Sequence, residues 1–221
     1  MITKIEKPSN VQEIIGILHP FVKEWFFSTF KGFSLPQLFG VMEIHKRNNI
    51  LISAPTGATK TLTAFLAILN ELVILDLEGK LEDKVYCVYN SPLKALSYDI
   101  HYNLINPLEN IDNIAQKNGK KLNIRVAVRT GDTPSAERAK MLKKVPHILI
   151  TTPETLAIIL TSIKFREKLR SVQWCIIDEI HALAENKRGT HLSLSLERLE
   201  LLSPKYTRIG LSATISPLID I

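Results

Sequence analysis

Two short stretches hold the residue types that could do chemistry. "ISAPTGATKTLTAFL" spans Ile52 to Leu66, and "VQWCIIDEIHALAEN" begins at Val172. The first reads as a strand end, a glycine-bearing turn and a helix start, with Lys60 and Thr61 where the helix begins. Backbone N–H groups at such a turn can cradle phosphate. A lysine there reaches the outer phosphates, and a hydroxyl can join a magnesium shell. The second runs from a mostly apolar strand straight into Asp178 and Glu179. A carboxylate at the open end of a buried strand can hold Mg²⁺, directly or through water, and a neighbouring Glu179 can polarise an attacking water.

Each stretch alone has a plainer reading. The generic pattern G-x-x-x-x-G-K-[ST] is not met, because Ala54 and Thr59 stand at its two glycine positions. The turn could merely contain Gly57, and the acidic pair could merely favour the dipole of a following helix. Occurring together, in this order, they weaken both plain readings.

The elements that must position these groups alternate along the chain. "NILISA", "KVYCVYNS", "NIRVAVRT", "HILITT", "VQWCIIDE" and "TRIGLSAT" are short apolar runs that end in small or polar residues. Between them lie helical patterns: Lys60 to about Leu77, "LKALSYDIHYNLINPL", "SAERAKMLKK", "PETLAIILTSI" and "HLSLSLERLELL". Such alternation predicts an α/β fold, a mostly parallel sheet covered by helices on both faces. Ligands in such sheets bind at the carboxyl ends of the strands, where most polar clusters of this sequence fall. Ahead of the first strand, "VQEIIGILHPFVKEWFFSTF" and "LPQLFGVMEIHKR" read as helices, the first interrupted at Pro20. "EGKLEDK" and "QKNGKKLN" read as solvated loops.

The 221 residues suffice for one large core. A net charge of +6 suits a polyanionic partner as well as it suits an ordinary basic surface. Cys87 and Cys175 sit inside apolar runs without metal-type spacing, so both are expected to be reduced and buried. There is no apolar leader and no membrane-length apolar run, which makes a soluble cytoplasmic protein the expectation.

"APTGATKT", "SPLKAL", "RTGDT", "TTPETL", "DEIH" and "LSAT" occur in the order and approximate spacing of superfamily 2 helicase motifs. "YNSPLKAL", "VRTGDTPSAER" and "DEIHALAENKRGTHLSLSLERL" are most similar to the large helicase-related (Lhr-like) family. The resemblance runs from about Val11 to the end. It implies a RecA-like P-loop domain over residues 31–221 with an N-terminal helical extension over 1–30, driven by ATP and Mg²⁺ and acting on DNA or RNA.

The same resemblance assigns roles. Lys60, Asp178 and Glu179 are catalytic. Ala54, Thr56, Gly57, Ala58, Thr59, Lys60 and Thr61 form the nucleotide loop, and Thr61 and Asp178 hold the metal. Gln37 resembles an adenine-reading glutamine; an ordinary helix-surface glutamine is the equal alternative. His181 matches a residue linking hydrolysis to strand movement, and Ser212 and Thr214 a hydroxyl motif coupling the motor's halves. Pro92, Lys94, Arg129, Thr130, Gly131, Thr152, Pro153 and Glu154 fall in motifs lining the nucleic-acid path, suited to backbone contacts that read no sequence. Arg188 and Gly189 match a family-typical "NKRG", with a solvated turn as the other reading of Arg188.

Two departures matter. Thr59 replaces a glycine. If that position needs positive φ, the strain of about 1–2 kcal/mol would weaken binding very roughly 5–30-fold. The chain also stops shortly after "LSAT", whereas relatives continue into a second RecA-like domain that supplies charge-stabilising arginines. One half of a motor is therefore expected, with negligible turnover and no unwinding alone and with a second RecA-like domain or helicase subunit as partner. The alternative is a non-enzymatic remnant that binds nucleic acid or a partner.

Overall fold

A computed structural model describes residues 3–55, 59–92, 97–183 and 186–213. The described elements are α1 (Val11–Ile17), α2 (Pro20–Thr29), α3 (Leu35–His45), β1 (Ile50–Ser53), α4 (Lys60–Leu77), β2 (Cys87–Asn90), α5 (Ser97–Ile100), α6 (Asn106–Lys117), β3 (Val126–Arg129), α7 (Ser135–Lys143), β4 (Ile148–Thr151), α8 (Pro153–Thr161), α9 (Ile163–Arg166), β5 (Trp174–Ile177), α10 (Lys187–Leu202) and β6 (Thr207–Ser212). A π-helical stretch, His101–Ile105, joins α5 to α6 without a break.

The six strands form one sheet in the order β1-β6-β5-β2-β4-β3, every pair parallel. The two-residue period of a strand divides its side chains between two helical layers. Cys87, Tyr89, Ile150, Ile176 and Ile209 pack in one apolar cluster with α1–α4 and α6. Val88, Leu149, Cys175 and Ile177 pack in the other, with α8 and α10. The two cysteines therefore face opposite layers, both buried and free.

Local chemistry explains the ends of the elements. Pro20 separates α1 from α2 and occupies the first turn of α2, where its missing N–H costs nothing. α4 is buried along most of its length, as an apolar helix between sheet and α3 must be. α1 and α2 deliver Ile14, Val22 and Phe26 to the same cluster as α3 and α4. No described helix is long and apolar enough to cross a membrane.

Because all strands run the same way, all six carboxyl ends lie along one edge of the sheet. The opposite edge carries a pH-sensitive contact. His147 precedes β4 and is 1% exposed. Its Nδ1 accepts from the Arg125 N–H at 3.0 Å. Burial first, then the Arg125 charge, pushes its pKa down to about 4. A neutral folded histidine stabilises the fold above its unfolded value of about 6.5, and this contribution is lost as pH falls toward 4. Denaturant melts are expected to show about 3 kcal/mol lost from this group between those limits. His147→Asn, which keeps an acceptor, is expected to flatten that part of the profile.

Candidate nucleotide and nucleic-acid edge

The edge divides into two halves. The ends of β1, β6 and β5 carry the Lys-Thr turn, Ser212 and the acidic pair. The ends of β2, β4 and β3 carry the other motifs.

In the first half β1 leads to Ala54 and Pro55. Thr56, Gly57 and Ala58 lie outside the described residues. Thr59 is the N-cap of α4 with φ 61° and ψ 24°, the left-handed region. The condition posed by the sequence is met: this position takes positive φ with a β-branched residue in it. The conformation belongs to the fold itself, so its strain falls on folding stability. The Thr59 carbonyl accepts from both the N–H and the hydroxyl of Thr63, at 2.9 and 2.8 Å. Lys60 Nζ donates back across the turn to the carbonyls of Ala54 (2.7 Å) and Pro55 (3.0 Å). Thr61 is buried in the first turn of α4.

β5 leads into Asp178, whose N–H still donates to Asn90 O at 2.8 Å as a continuation of the sheet. Its carboxylate accepts from the Glu179 N–H at 2.9 Å and from the Tyr89 hydroxyl. Burial pushes the Asp178 carboxyl above the usual carboxylate range, and the Tyr89 bond works against that. Burial likewise pushes the Tyr89 phenol well up. Tyr89 is fully buried and stacks on Phe65 of α4, at 5.4 Å between ring centres. It joins β2, α4 and the acidic pair. Sequence reasoning missed this residue, because inside "KVYCVYNS" it reads as one more apolar strand position.

Glu179 has φ 51°, a second left-handed residue at this edge. The chain turns there into a 3₁₀ turn, Ile180–Ala182. His181 Nδ1 accepts from the Ala213 N–H at 3.3 Å, so the ring proton resides on Nε2. Ser212 Oγ, at 3.1 Å, therefore donates to Nδ1, while Nε2–H faces Glu179 Oε2 at 3.1 Å. Glu179, His181 and Ser212 form one relay from β5 to β6. On the far side of β6, Ala54 N–H donates to Ser212 O at 3.3 Å and Ser53 Oγ to Ala213 O at 3.1 Å. Thr214 lies outside the described residues.

Gln37 is 2% exposed, which removes the surface-glutamine alternative. Its Oε1 accepts from the Ser34 N–H at 2.9 Å, one half of the Ser-x-x-Gln capping pattern at the start of α3. The Ser34 and Thr59 hydroxyls lie 2.6 Å apart, which joins α3 to the turn.

In the second half three motif segments meet at Arg188. Its Nε donates to Glu154 Oε1 at 2.6 Å and its Nη2 to Pro92 O at 2.9 Å. Arg188 is exposed, as the solvated reading has it, but it lies in the first turn of α10 and not in a loop turn, capped by the Asn186 side chain, which accepts from the Arg188 and Gly189 N–H groups. α10 thus starts four residues before the apolar pattern that announced it. Gly189 has a packing reason as well, since a Cβ built there would lie 1.9 Å from Leu183 O.

Thr152 caps α8, its Oγ1 accepting from the Thr155 N–H, and Pro153 opens that helix. The Thr130 N–H donates to Thr133 Oγ1 at 2.9 Å. Arg138, unassigned from sequence, donates to Gly131 O at 2.9 Å and Thr133 O at 2.7 Å, and so holds the Thr130–Thr133 turn. Arg129 departs from the open-path expectation: it is 8% exposed, and its guanidinium lies 4.5 Å over the Phe165 ring. Lys94 lies outside the described residues.

This sheet order, with a lysine turn after the first strand and an acidic pair beside it, defines a RecA-like domain. The chain belongs to the DEAD/DEAH box helicase family, whose family model matches residues 36–221. It is 60% identical over 218 residues to the ATP-dependent helicase Lhr-Core of Methanothermobacter thermautotrophicus, across 99% of this chain and 25% of that protein. It is 44% identical to the Lhr helicase/uracil glycosylase of Escherichia coli, across 98% of this chain and 14% of that one. The chain thus spans about a quarter or less of the length of these relatives. Among solved structures, Mycobacterium smegmatis helicase Lhr bound to ssDNA and AMP-PNP matches with TM-score 0.84 and 42% identity, over 94% of this chain and 26% of that one. Mss116p bound to ssRNA and AMP-PNP shares the fold, with TM-score 0.78 at 20% identity, over 97% of this chain and 42% of that one.

Proposed function

We propose that this chain is the nucleotide-binding half of an ATP-dependent DNA or RNA helicase. It binds Mg-ATP on the β1-β6-β5 half of the edge and nucleic-acid backbone on the β2-β4-β3 half. The observation that carries the reading is the Glu179–His181–Ser212 relay, which ties the acidic pair to the strand next to the lysine turn.

Each residue has a task in this reading. Lys60, at the helix start, holds the outer phosphates together with the loop residues Ala54 and Thr56–Thr61. Gln37 stands at the adenine end, through its place in the α3 cap. Glu179 orients the attacking water, and its partner His181 passes its position to Ser212 and Thr214. Among the described residues no cluster of three His, Cys, Asp or Glu could cage a resident metal. One buried carboxylate and one buried hydroxyl suit a magnesium that arrives on phosphates, since this ion keeps waters and takes few protein ligands. Asp178 and Thr61 would hold it, and when bound it would neutralise charge on the phosphates.

Pro92, Lys94, Thr130, Gly131, Thr152, Pro153 and Glu154 make the nucleic-acid half, with Arg188 joining the Pro92 and Glu154 segments and Arg129 held against Phe165 as a support. Backbone contacts of this kind are neutral to sequence and weaken with salt. The helices before residue 31 act as an extension that braces one helical layer of the 31–221 domain. Hydrolysis and unwinding need a second RecA-like domain, and the cytoplasm is the compartment this activity implies.

Asp178→Asn tests the reading. Fluorescent-nucleotide titrations should lose their magnesium dependence in this variant while retaining weak metal-free binding. Unchanged magnesium dependence would contradict the assignment.

A further inference from the structure

The Ser34–Thr59 contact bears on how a helicase turn of this kind works without its glycine. Thr59 occupies the left-handed region with a β-branched side chain, at the residue before Lys60. A threonine there has two ways to damage a phosphate cradle: it can let the strained backbone relax out of the left-handed region, or it can swing its side chain across the loop.

The contact opposes both. Ser34 Oγ lies 2.6 Å from Thr59 Oγ1, in a part-buried setting. With Oγ1 committed to Ser34, χ1 of a β-branched residue is fixed, and so is the position of its methyl group. Ser34 is itself held, because its N–H donates to Gln37 Oε1 at 2.9 Å. Gln37 is buried, and α3 packs along α4, whose N-cap is Thr59. The chain of contacts runs from α3 to the phosphate turn through a serine hydroxyl that a glycine in place of Thr59 could not engage.

We propose that Ser34 is a positioning residue for the nucleotide. Its hydroxyl latches Thr59 toward α3, and this latch keeps the non-glycine turn competent to bind Mg-ATP. Nothing reacts at Ser34; it acts through Thr59. The inference rests on the nucleotide reading above and deepens it.

The test is a double-mutant cycle on Mg-ATP affinity, measured by calorimetry on the whole chain. Ser34→Ala should weaken binding about 3- to 10-fold, the effect of one hydroxyl hydrogen bond. Ser34→Thr, which keeps the hydroxyl, should restore it. In a Thr59→Gly background Ser34→Ala should change affinity less than about twofold, because the latch has nothing to hold. A serine that only caps α3 would lower thermal stability alike in both backgrounds and produce no coupling in affinity. Equal effects of Ser34→Ala in the two backgrounds, or no effect in the native one, would overturn the latch while leaving the nucleotide reading intact. A folded native chain that binds no Mg-ATP would overturn both.

Discussion

Lys60→Ala is expected to reduce Mg-ATP affinity about 100-fold or more while leaving the fold unchanged. The ammonium donates to the Ala54 and Pro55 carbonyls, at 2.7 and 3.0 Å, on the turn that begins where β1 ends. It is therefore held over that turn, and phosphate oxygens would replace two neutral carbonyls as its partners. Hydrogen bonds to charged groups contribute about 1.5–3 kcal/mol each, and two of them cover a hundredfold loss. The helix dipole and the loop N–H groups remain, so weak residual binding is part of the expectation. Lys60 is only half-buried, and its two bonds are local. Its removal should leave the melting temperature nearly unmoved, so lost affinity can be assigned to the site. Calorimetric titration of both proteins, with thermal melts as control, measures this. Equal affinities would mean that the lysine does not touch the nucleotide.

The second large effect concerns stability and the nucleic-acid half together. Gly189→Ala places a methyl carbon where the Leu183 carbonyl oxygen stands 1.9 Å away. The obstacle is backbone, so α10 or the 3₁₀ turn before it must shift. Overpacking of this kind costs about 1–3 kcal/mol, and a backbone obstacle belongs at the upper end. In a domain of this size that lowers the melting temperature by about 6–12 °C. The shift also moves Arg188, one residue earlier, away from Glu154 and Pro92. Oligonucleotide affinity should therefore fall even at temperatures where the variant is folded. Arg188→Lys separates the two effects. It keeps the charge and the helix but loses the forked contact, and should weaken oligonucleotide binding with little change in melting temperature.

How far the sequence reaches differs between elements. Buried parallel strands have no polar face, so their apolar runs stand out, and all six strands lie within runs identified from sequence. α4 also begins and ends where its pattern does, at Lys60 and Leu77. The start of α10 was hidden because an Asn cap and two basic residues look like a turn until their partners are known. One of those partners, Glu154, is 34 residues away in sequence. The π-helical stretch at His101–Ile105 carries no breaker or cap that would announce it.

At the candidate site the residue types were legible and their pairings were not. The acidic pair could be picked out at a strand end, but the Tyr89 bond to Asp178 depends on the register of β2 with β5, which no local pattern encodes. The demand for positive φ at Thr59 could be posed as a condition, since a glycine position in a turn implies it. Its companion Ser34 could not, because the contact crosses 25 residues, with α3 and β1 between. Arg129 shows the opposite failure. A cation at a strand end suggests phosphate, yet an aromatic ring from α9 takes its guanidinium.

We take the turn with Thr59 in the left-handed region to be a working nucleotide site. Calorimetric titration of the native chain with Mg-ATP tests it most directly. Saturable one-to-one binding that requires magnesium and is lost in Lys60→Ala is expected. No binding by the native chain, with binding restored in Thr59→Gly, would contradict it. The protein would then be a helicase fold that binds nucleic acid or a partner and has lost its nucleotide at one residue.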